Sequence, residues 1–366
     1  MAKILLIGEF SNVHWTLAQG LRLLGHTVKV ISDGDGWKNY SRDVNVDLSS
    51  VTSFLKLSKD IFLSDLYKGY DVVQFIHFLF MFPLSKNVLN SLAFSRLKKY
   101  NKSVFLGAFG DDYFWVNACL QNKFRYSPFD LNKDNESAHK KYALNFLETK
   151  AKQANIFMAD KVDGIVAGLY EYYEAYKLDY IDKLKFIPFP INIQENEYLP
   201  NTLEKGGRLK FFLGIQKSRS SWKGTDKLER ILRACAIKFP NTMQLEIVQN
   251  VPYSTYISLY RQTNIVVDQL YSYSPAMNAL TAMSQGKVIL GGGENEMYDL
   301  YGENINRPIY NLVDDEKFII KQIENLLDSR FTIEELGFKN RMFIEEHHHY
   351  VDVAKRYLKF WSEKSH

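Results

Sequence analysis

The sequence predicts an α/β fold of two doubly wound, Rossmann-like domains in tandem, each on a mostly parallel sheet. Three observations carry this. Short apolar runs alternate with helical patterns along the chain. The runs are continuous rather than alternating apolar and polar, as expected of strands covered on both faces. The alternation stops near Pro190 and then restarts. A length of 366 residues suits two such domains.

In the first half the candidate strands are KILLIG (3–8), HTVKVIS (26–32), DVVQFI (71–76), SVFLGAFG (103–110), GIVAG (164–168) and LKFIPFP (184–190). Between the first two, Trp15, Ala18, Leu21 and Leu24 recur at helical spacing. Ser11 or Asn12 is placed to cap that helix and Gly25 to end it, which makes a βαβ unit. The segment INIQENEYLPNTLEKGGR is polar and carries a Gly-Gly pair, so the domain boundary falls there, at 195/196. Then come LKFFLG (209–214), MQLEIVQ (243–249), NIVVDQL (264–270), KVILGGG (287–293) and PIYNLV (308–313). Helical patterns from Asp226 and Pro275 separate some of these strands, and a last one covers 346–366, with Tyr350, Ala354, Tyr357 and Trp361 on one face. No fixed-period repeat occurs, so a solenoid is not expected.

Composition narrows the function classes. Hydrophobic residues make up 46% and charged residues 24%, an ordinary globular balance that argues against a disordered or collagen-like chain. The formal net charge is +4, too small to imply nucleic acid. Two cysteines, Cys119 and Cys235, exclude a disulfide framework and fit a reducing compartment. The start, MAKILLIGEF, reads as a buried strand rather than a secretory leader. The longest apolar stretch, VVQFIHFLFMFPL (72–84), is too short to span a bilayer and reads as a strand followed by a core segment. Its aromatic continuation is the alternative, as a lipid-touching surface, and the basic run at 96–102 would suit an anionic one. The His347–His349 run reads as a solvated helix start, and no metal-ligand spacing occurs elsewhere.

The nucleotide signals lie mainly in the second half. The first strand ends in GEFSNVHW, which is neither GxGxxG nor a P-loop, so an ordinary NAD-binding domain and a P-loop phosphotransferase lose support. Gly8 and Ser11 still sit where a strand turns into a helix. Asp33 and Asp35 follow the second strand and read as turn acids, with ribose binding as the alternative. After LKFFLG, the loop IQKSRSSWKGTD gathers Lys217, Arg219 and Lys223 beyond a strand's carboxyl end, where a diphosphate is expected, although a basic surface loop has the same composition. Asn250 follows the next strand. A further loop leads through Ser274, Pro275, Ala276 and Met277 into a helix whose first N–H groups would meet phosphate oxygens. The run Gly291–Gly293, followed by Glu294, permits close backbone approach.

Here the chain resembles the retaining, nucleotide-sugar-dependent glycosyltransferases of the GT-B fold, specifically family 4 (glycosyl transferases group 1). The resemblance covers nearly the whole length. It is carried by KFIPFPIN, FFLGIQKSRSSWKGTDKL and ALTAMSQGKVILGGGENE, in that order. It implies two Rossmann-like domains facing a central cleft, acceptor side first and donor side second, with a C-terminal helix crossing back to the first. It implies transfer of a hexose from a UDP- or GDP-sugar to a hydroxyl acceptor with retained configuration, in cell-surface polysaccharide or glycoconjugate synthesis. No tightly bound cofactor, metal or nucleic acid is expected. The expected location is cytoplasmic, with peripheral contact at the inner membrane face.

By the same resemblance, Lys217 or Arg219 together with Lys223 would bind the donor phosphates. His77, in DVVQFIHF, would lie near the transferred sugar. Asp111 and Asp112 follow a strand end on the acceptor side. The family's two glutamates, with seven residues between them, correspond here to Tyr273 and Thr281. Thr281 has a shorter reach toward a ribose and no charge. That departure keeps two other readings open, an epimerase-like nucleotide-sugar enzyme and a donor-binding partner with weakened turnover.

Overall fold

The computed structural model describes residues 1–47, 49–130, 137–203, 206–251 and 253–365. They divide into two units, one from residues 1–118, 143–190 and 350–366, the other from residues 119–142 and 191–349. Segment 119–142 therefore belongs with the second unit, which no local pattern anticipates.

Among the described residues the first unit holds a seven-stranded sheet: β1 (Lys3–Ile7), β2 (Thr27–Ser32), β3 (Val44–Asn45), β4 (Val72–Phe75), β5 (Ser103–Ala108), β6 (Gly164–Ala167) and β7 (Leu184–Phe186). The order is β3-β2-β1-β4-β5-β6-β7 and every pair is parallel. Residues of β4, β5 and β6 are buried throughout, which is why they read as unbroken apolar runs. The chain leaves β1 for β2 and β3 on one side and returns to β4 on the other. The carboxyl ends of β1 and β4 therefore diverge, as at the switch point of any doubly wound sheet.

The helix after β1 is Val13–Leu23. Asn12 occupies its N-cap but makes no capping bond. Glu9 does the work instead, its two carboxylate oxygens accepting the N–H groups of His14 (3.2 Å) and Trp15 (2.9 Å). An acid reaching back from the strand end satisfies two orphan donors at the positive end of the helix dipole. Gly25, with a φ of 86°, ends the helix as expected. Burial still pushes the Glu9 carboxyl up to about 8, against the pull of the two N–H groups.

The aromatic continuation of β4 is buried rather than lipid-facing: Phe78, Phe80, Met81 and Phe82 are all in the core. This stretch is irregular, so its backbone needs other partners. Asn90 supplies them, accepting from Met81 and Phe82 N–H and donating to the Phe82 carbonyl at 2.8 Å. The C-terminal helix, Tyr350–Lys364, closes the same unit. Tyr350 and Ala354 meet Gly20 of the first helix, Phe360 and Trp361 pack on Phe105, and the Trp361 indole N–H donates to the Gln74 side-chain amide oxygen, Oε1, at 3.3 Å.

The second unit carries β8 (Leu209–Ile215), β9 (Met243–Gln249), β10 (Ile265–Val267), β11 (Val288–Gly291) and β12 (Tyr310–Asn311), all parallel in the order β12-β11-β10-β8-β9. Here the switch point lies between β8 and β10. Its apolar core joins Phe211, Leu213, Ile231, Val267, Leu290 and Ile323. The histidine run is not a solvated helix start. His347 ends the helix Ile333–His347, and His347 and His348 are buried against Glu303 (3.0 Å) and the Tyr301 hydroxyl (3.0 Å). Glu303, Glu346 and His347 are near enough to one another to share a cation. Burial alone would raise the Glu303 carboxyl, but His347 and the N–H groups of Asn306 and Ile305 outweigh it and hold it at about 2. Glu303 is thus tied to the His347 ring and to two backbone N–H groups of the following turn.

Two outcomes follow from this packing. Trp361→Ala lowers stability by about 3–5 kcal/mol in urea unfolding, because the indole fills a closed core position. For Glu9, the unfolded chain releases its proton near 4.5 and the folded chain near 8, so stability falls as pH rises between those values. The stability lead of the natural protein over Glu9→Gln therefore shrinks from about pH 5 to about pH 8. A constant gap would show that Glu9 ionises normally in the folded chain.

Candidate nucleotide-sugar site

In the second unit the loop after β8 folds as one short turn, Lys217–Arg219, and one helical turn, Ser220–Lys223, before the helix Thr225–Lys238. Gly224 joins the two helices with a φ of 71°, and a Cβ there would sit 2.7 Å from the Cβ of Leu270. The Lys223 carbonyl accepts the Leu270 N–H at 2.9 Å, which staples the β8 loop to the β10 loop across the switch point. Arg219 and Lys223 are half-buried beside this staple, whereas Lys217 is exposed. Asp268, just after β10, is half-buried; desolvation raises its carboxyl, while the Lys223 charge and a bond from the Ala276 N–H act the other way.

The helix Met277–Ser284 opens at Ala276, an extended N-cap with no side-chain capping bond. Pro275 precedes it, and the buried Ser274 is tied through its carbonyl to the Ser272 hydroxyl at 2.7 Å. The N–H groups of the helix start lie at the carboxyl end of the sheet, where an anion is favoured. Thr281 is half-buried, one turn into that helix, and its hydroxyl donates to the Met277 carbonyl at 2.8 Å. Asn250 follows β9, on the far side of β8 from the switch point; it is exposed with a φ of 50°.

The glycine run after β11 does allow a close approach, but to protein: a Cβ on Gly292 would lie 2.3 Å from the Ser272 carbonyl oxygen. Glu294 then donates its N–H to the Tyr273 carbonyl at 3.1 Å. Its carboxylate accepts from Arg125 at 2.7 Å and from the Tyr126 hydroxyl at 2.8 Å. Tyr273 is buried, stacked on Tyr126 with ring centroids 4.6 Å apart, and its hydroxyl accepts the Arg125 N–H at 2.6 Å. Arg125, Tyr126 and His139 are contributions that sequence reading missed. They lie more than 75 residues from the loops they touch, and no motif marks them.

The first unit carries its own candidate set around the β1–β4 switch point. Gly8 has a φ of 84°, and a Cβ there would meet Ile76 at 2.3 Å, so only glycine lets β1 turn so close to β4. Ser11 is bound to a surface turn, its N–H on Asp35 at 2.8 Å and its hydroxyl accepting from Lys38 at 3.2 Å. The Asp35–Lys38 pair at 2.6 Å makes Asp35 a turn acid. His77 follows β4 and is buried beside Phe10, with ring centroids 5.6 Å apart. Its Nδ1 accepts the Leu79 N–H at 3.2 Å, which leaves the proton of the neutral ring on Nε2. That Nε2 has no hydrogen-bond partner among the described residues. Burial holds the His77 imidazole down at about 4 in spite of Asp111, so the ring is neutral at physiological pH.

Asp111 is half-buried and Asp112 fully buried after β5. Asp112 is committed to the fold: it accepts the Trp115 N–H at 2.9 Å and the Tyr176 hydroxyl, and burial raises its carboxyl to about 7.

No family model matches the chain, and no curated protein matches it in sequence. Solved structures do match along its whole length. Sucrose-phosphate synthase of Thermosynechococcus elongatus is 11% identical with a TM-score of 0.60, covering 99% of this chain and 98% of that one. HepE of Anabaena, solved with UDP and glucose, is 10% identical with a TM-score of 0.60, covering 99% and 100%. WaaG, a glycosyltransferase involved in lipopolysaccharide biosynthesis, is 10% identical with a TM-score of 0.54, covering 98% of each chain. At these identities the likeness is one of fold: two Rossmann-like α/β units of parallel strands and a closing C-terminal helix, the GT-B plan.

Proposed function

We propose that the chain transfers a sugar from a nucleoside diphosphate sugar to a hydroxyl acceptor, with retained anomeric configuration, in the synthesis of a cell-surface polysaccharide or glycoconjugate. The observation that carries this is the placing of Lys223, with Arg219 in the same loop, beside the start of the helix Met277–Ser284 at the β8–β10 switch point, where Asp268 lies between the Lys223 charge and the Ala276 N–H. As the glycosidic bond breaks, negative charge grows on the departing diphosphate. Cations and helix N–H groups already in place bind that charge more strongly in the transition state than in the ground state, which is what lowers the barrier. In a front-face reaction the acceptor oxygen bonds to the anomeric carbon on the side the diphosphate leaves. The acceptor proton passes to a phosphate oxygen, so no separate carboxylate base is required.

HepE, with UDP and glucose bound, makes a UDP-sugar the first donor to test. WaaG, by its part in lipopolysaccharide synthesis, supports the cell-surface setting. In the first unit, His77 is suited to donate its Nε2 proton in a hydrogen bond to a sugar hydroxyl, with Phe10 and Asp111 beside it. A neutral ring is the right form for that role, because it neither attracts nor repels the diphosphate.

A second reading, a donor-binding protein with weakened turnover, draws on Tyr273. An uncharged side chain committed to Tyr126 and Arg125 stands where the resembling family carries an acid. Titration calorimetry against UDP-, GDP- and ADP-sugars, followed by transfer assays on a panel of hydroxyl acceptors, separates the two: binding without transfer or donor breakdown selects the second.

Under the first reading Lys223→Ala lowers transfer by roughly 10²-fold or more, the usual loss on removing one donor aimed at developing charge. Unchanged kcat/KM in a folded variant would remove Lys223 from the reaction.

A further inference from the structure

Among the described residues the two sheets end in β3, β7, β12 and β9. Three of these edges are blunted by shortness: β3 and β12 hold two residues each and β7 three. The fourth, β9, is seven residues long and pairs with β8 along its whole length. Its sequence, MQLEIVQ, has no proline and no lysine, the residues that usually guard an edge. Its one charge is Glu246.

The ladder fixes which backbone groups of β9 face outward. Leu209 donates to the Thr242 carbonyl at 2.8 Å, and Asn250 donates to the Ile215 carbonyl at 3.3 Å. Within a strand pair, every second residue turns its N–H and C=O toward the neighbour. Carried along the register, this gives Gln244, Glu246 and Val248 to β8. Leu245, Ile247 and Gln249 turn the other way, and among the described residues their backbone groups have no backbone partner. The side chains agree. Leu245 and Ile247 pack against the core of this unit but stay half-buried. The sheet stops one strand short of covering them.

We propose that β9 pairs antiparallel with β9 of a second copy of this chain, about a two-fold axis at Ile247, so that one sheet runs through both copies. Residues that face each other in an antiparallel pair lie on the same side of the sheet. A two-fold axis must therefore pass between a residue and its own copy. At Ile247 it uses every outward N–H and C=O of residues 245–249 in both chains. It sets Ile247 against Ile247, Leu245 against Gln249 and Glu246 against Val248, so the one charge never meets its like. An axis at Glu246 would bring two carboxylates together on Cα atoms about 4.5 Å apart. An axis at Leu245 would call on the Met243 N–H, already given to the Phe239 carbonyl at 2.9 Å. The strand is thus complementary to itself in one register. Such an interface closes at two copies and leaves no β9 edge over. Lys223, Arg219 and His77 take no part, so the dimer and the sugar-transfer reading stand or fall separately.

The test is sedimentation velocity on the full chain from low to high micromolar concentration. The natural chain shows a monomer–dimer equilibrium. Q249P removes an outward N–H at an exposed position and leaves the β8 ladder whole, the placement in which an edge tolerates proline. It raises the dimer dissociation constant about tenfold or more, since the bond is lost on both sides of the axis. I247C forms a disulfide-linked dimer under mild oxidant, because Cα atoms facing in a hydrogen-bonded pair lie about 5.5 Å apart, within disulfide reach. L245C, which faces Gln249 and not itself, does not. The natural cysteines, Cys119 and Cys235, are buried and do not compete. A monomer at every concentration, a dimer that a folded Q249P leaves unchanged, or cross-linking as fast in L245C as in I247C would each overturn the pairing. If Q249P does not fold, the two cysteine variants decide.

Discussion

The constraint on which the rest depends is the reversal of strand order between β8 and β10. In a parallel sheet each strand ends by pointing its chain at the same edge, and neighbouring loops normally crowd one another there. Where the order reverses, the loops part, and backbone and side-chain donors can face a ligand without a strand intervening. In this chain the gap is kept at a fixed width by one backbone hydrogen bond, Leu270 to the Lys223 carbonyl at 2.9 Å. That bond needs Gly224, because any Cβ would strike Leu270 and Tyr271. Lys223, Asp268 and the start of the helix Met277–Ser284 are all arranged around that gap.

Asp268 adds a counterweight: the half-buried carboxyl and the Lys223 charge attract each other, which offsets part of the desolvation of both. Acids and a cation also meet at Glu294 and Glu296, which share the Arg125 guanidinium. The loops of this unit therefore carry acids among their cations.

Much of the fold was legible because burial on both faces leaves an unmistakable trace: the unbroken apolar runs of β1, β4, β5, β6, β8, β10 and β11. Strand β3, with two residues, leaves none. The cap of the first helix was misread because Asn12 is the better local capper, while Glu9 wins by reaching from the strand end. The glycines at 291–293 read as room for a ligand, yet Gly292 makes room for Ser272. Local chemistry drew attention to Arg219 and Lys223, which stand together in one loop. It could not point to Arg125 or His139, because their partners are set by tertiary packing over long sequence separations, which no periodicity encodes.

The chain passes from one unit to the other four times, at 118, 142, 190 and 349. During vectorial synthesis this order has a cost. The second unit has all its pieces once residue 349 has left the ribosome, whereas the earlier-made unit must wait for Tyr350–Lys364 to cover Gly20, Phe105 and Gln74. The half translated first is thus the half completed last, and the apolar surface under that helix stays open to chaperones until residues 350–364 emerge.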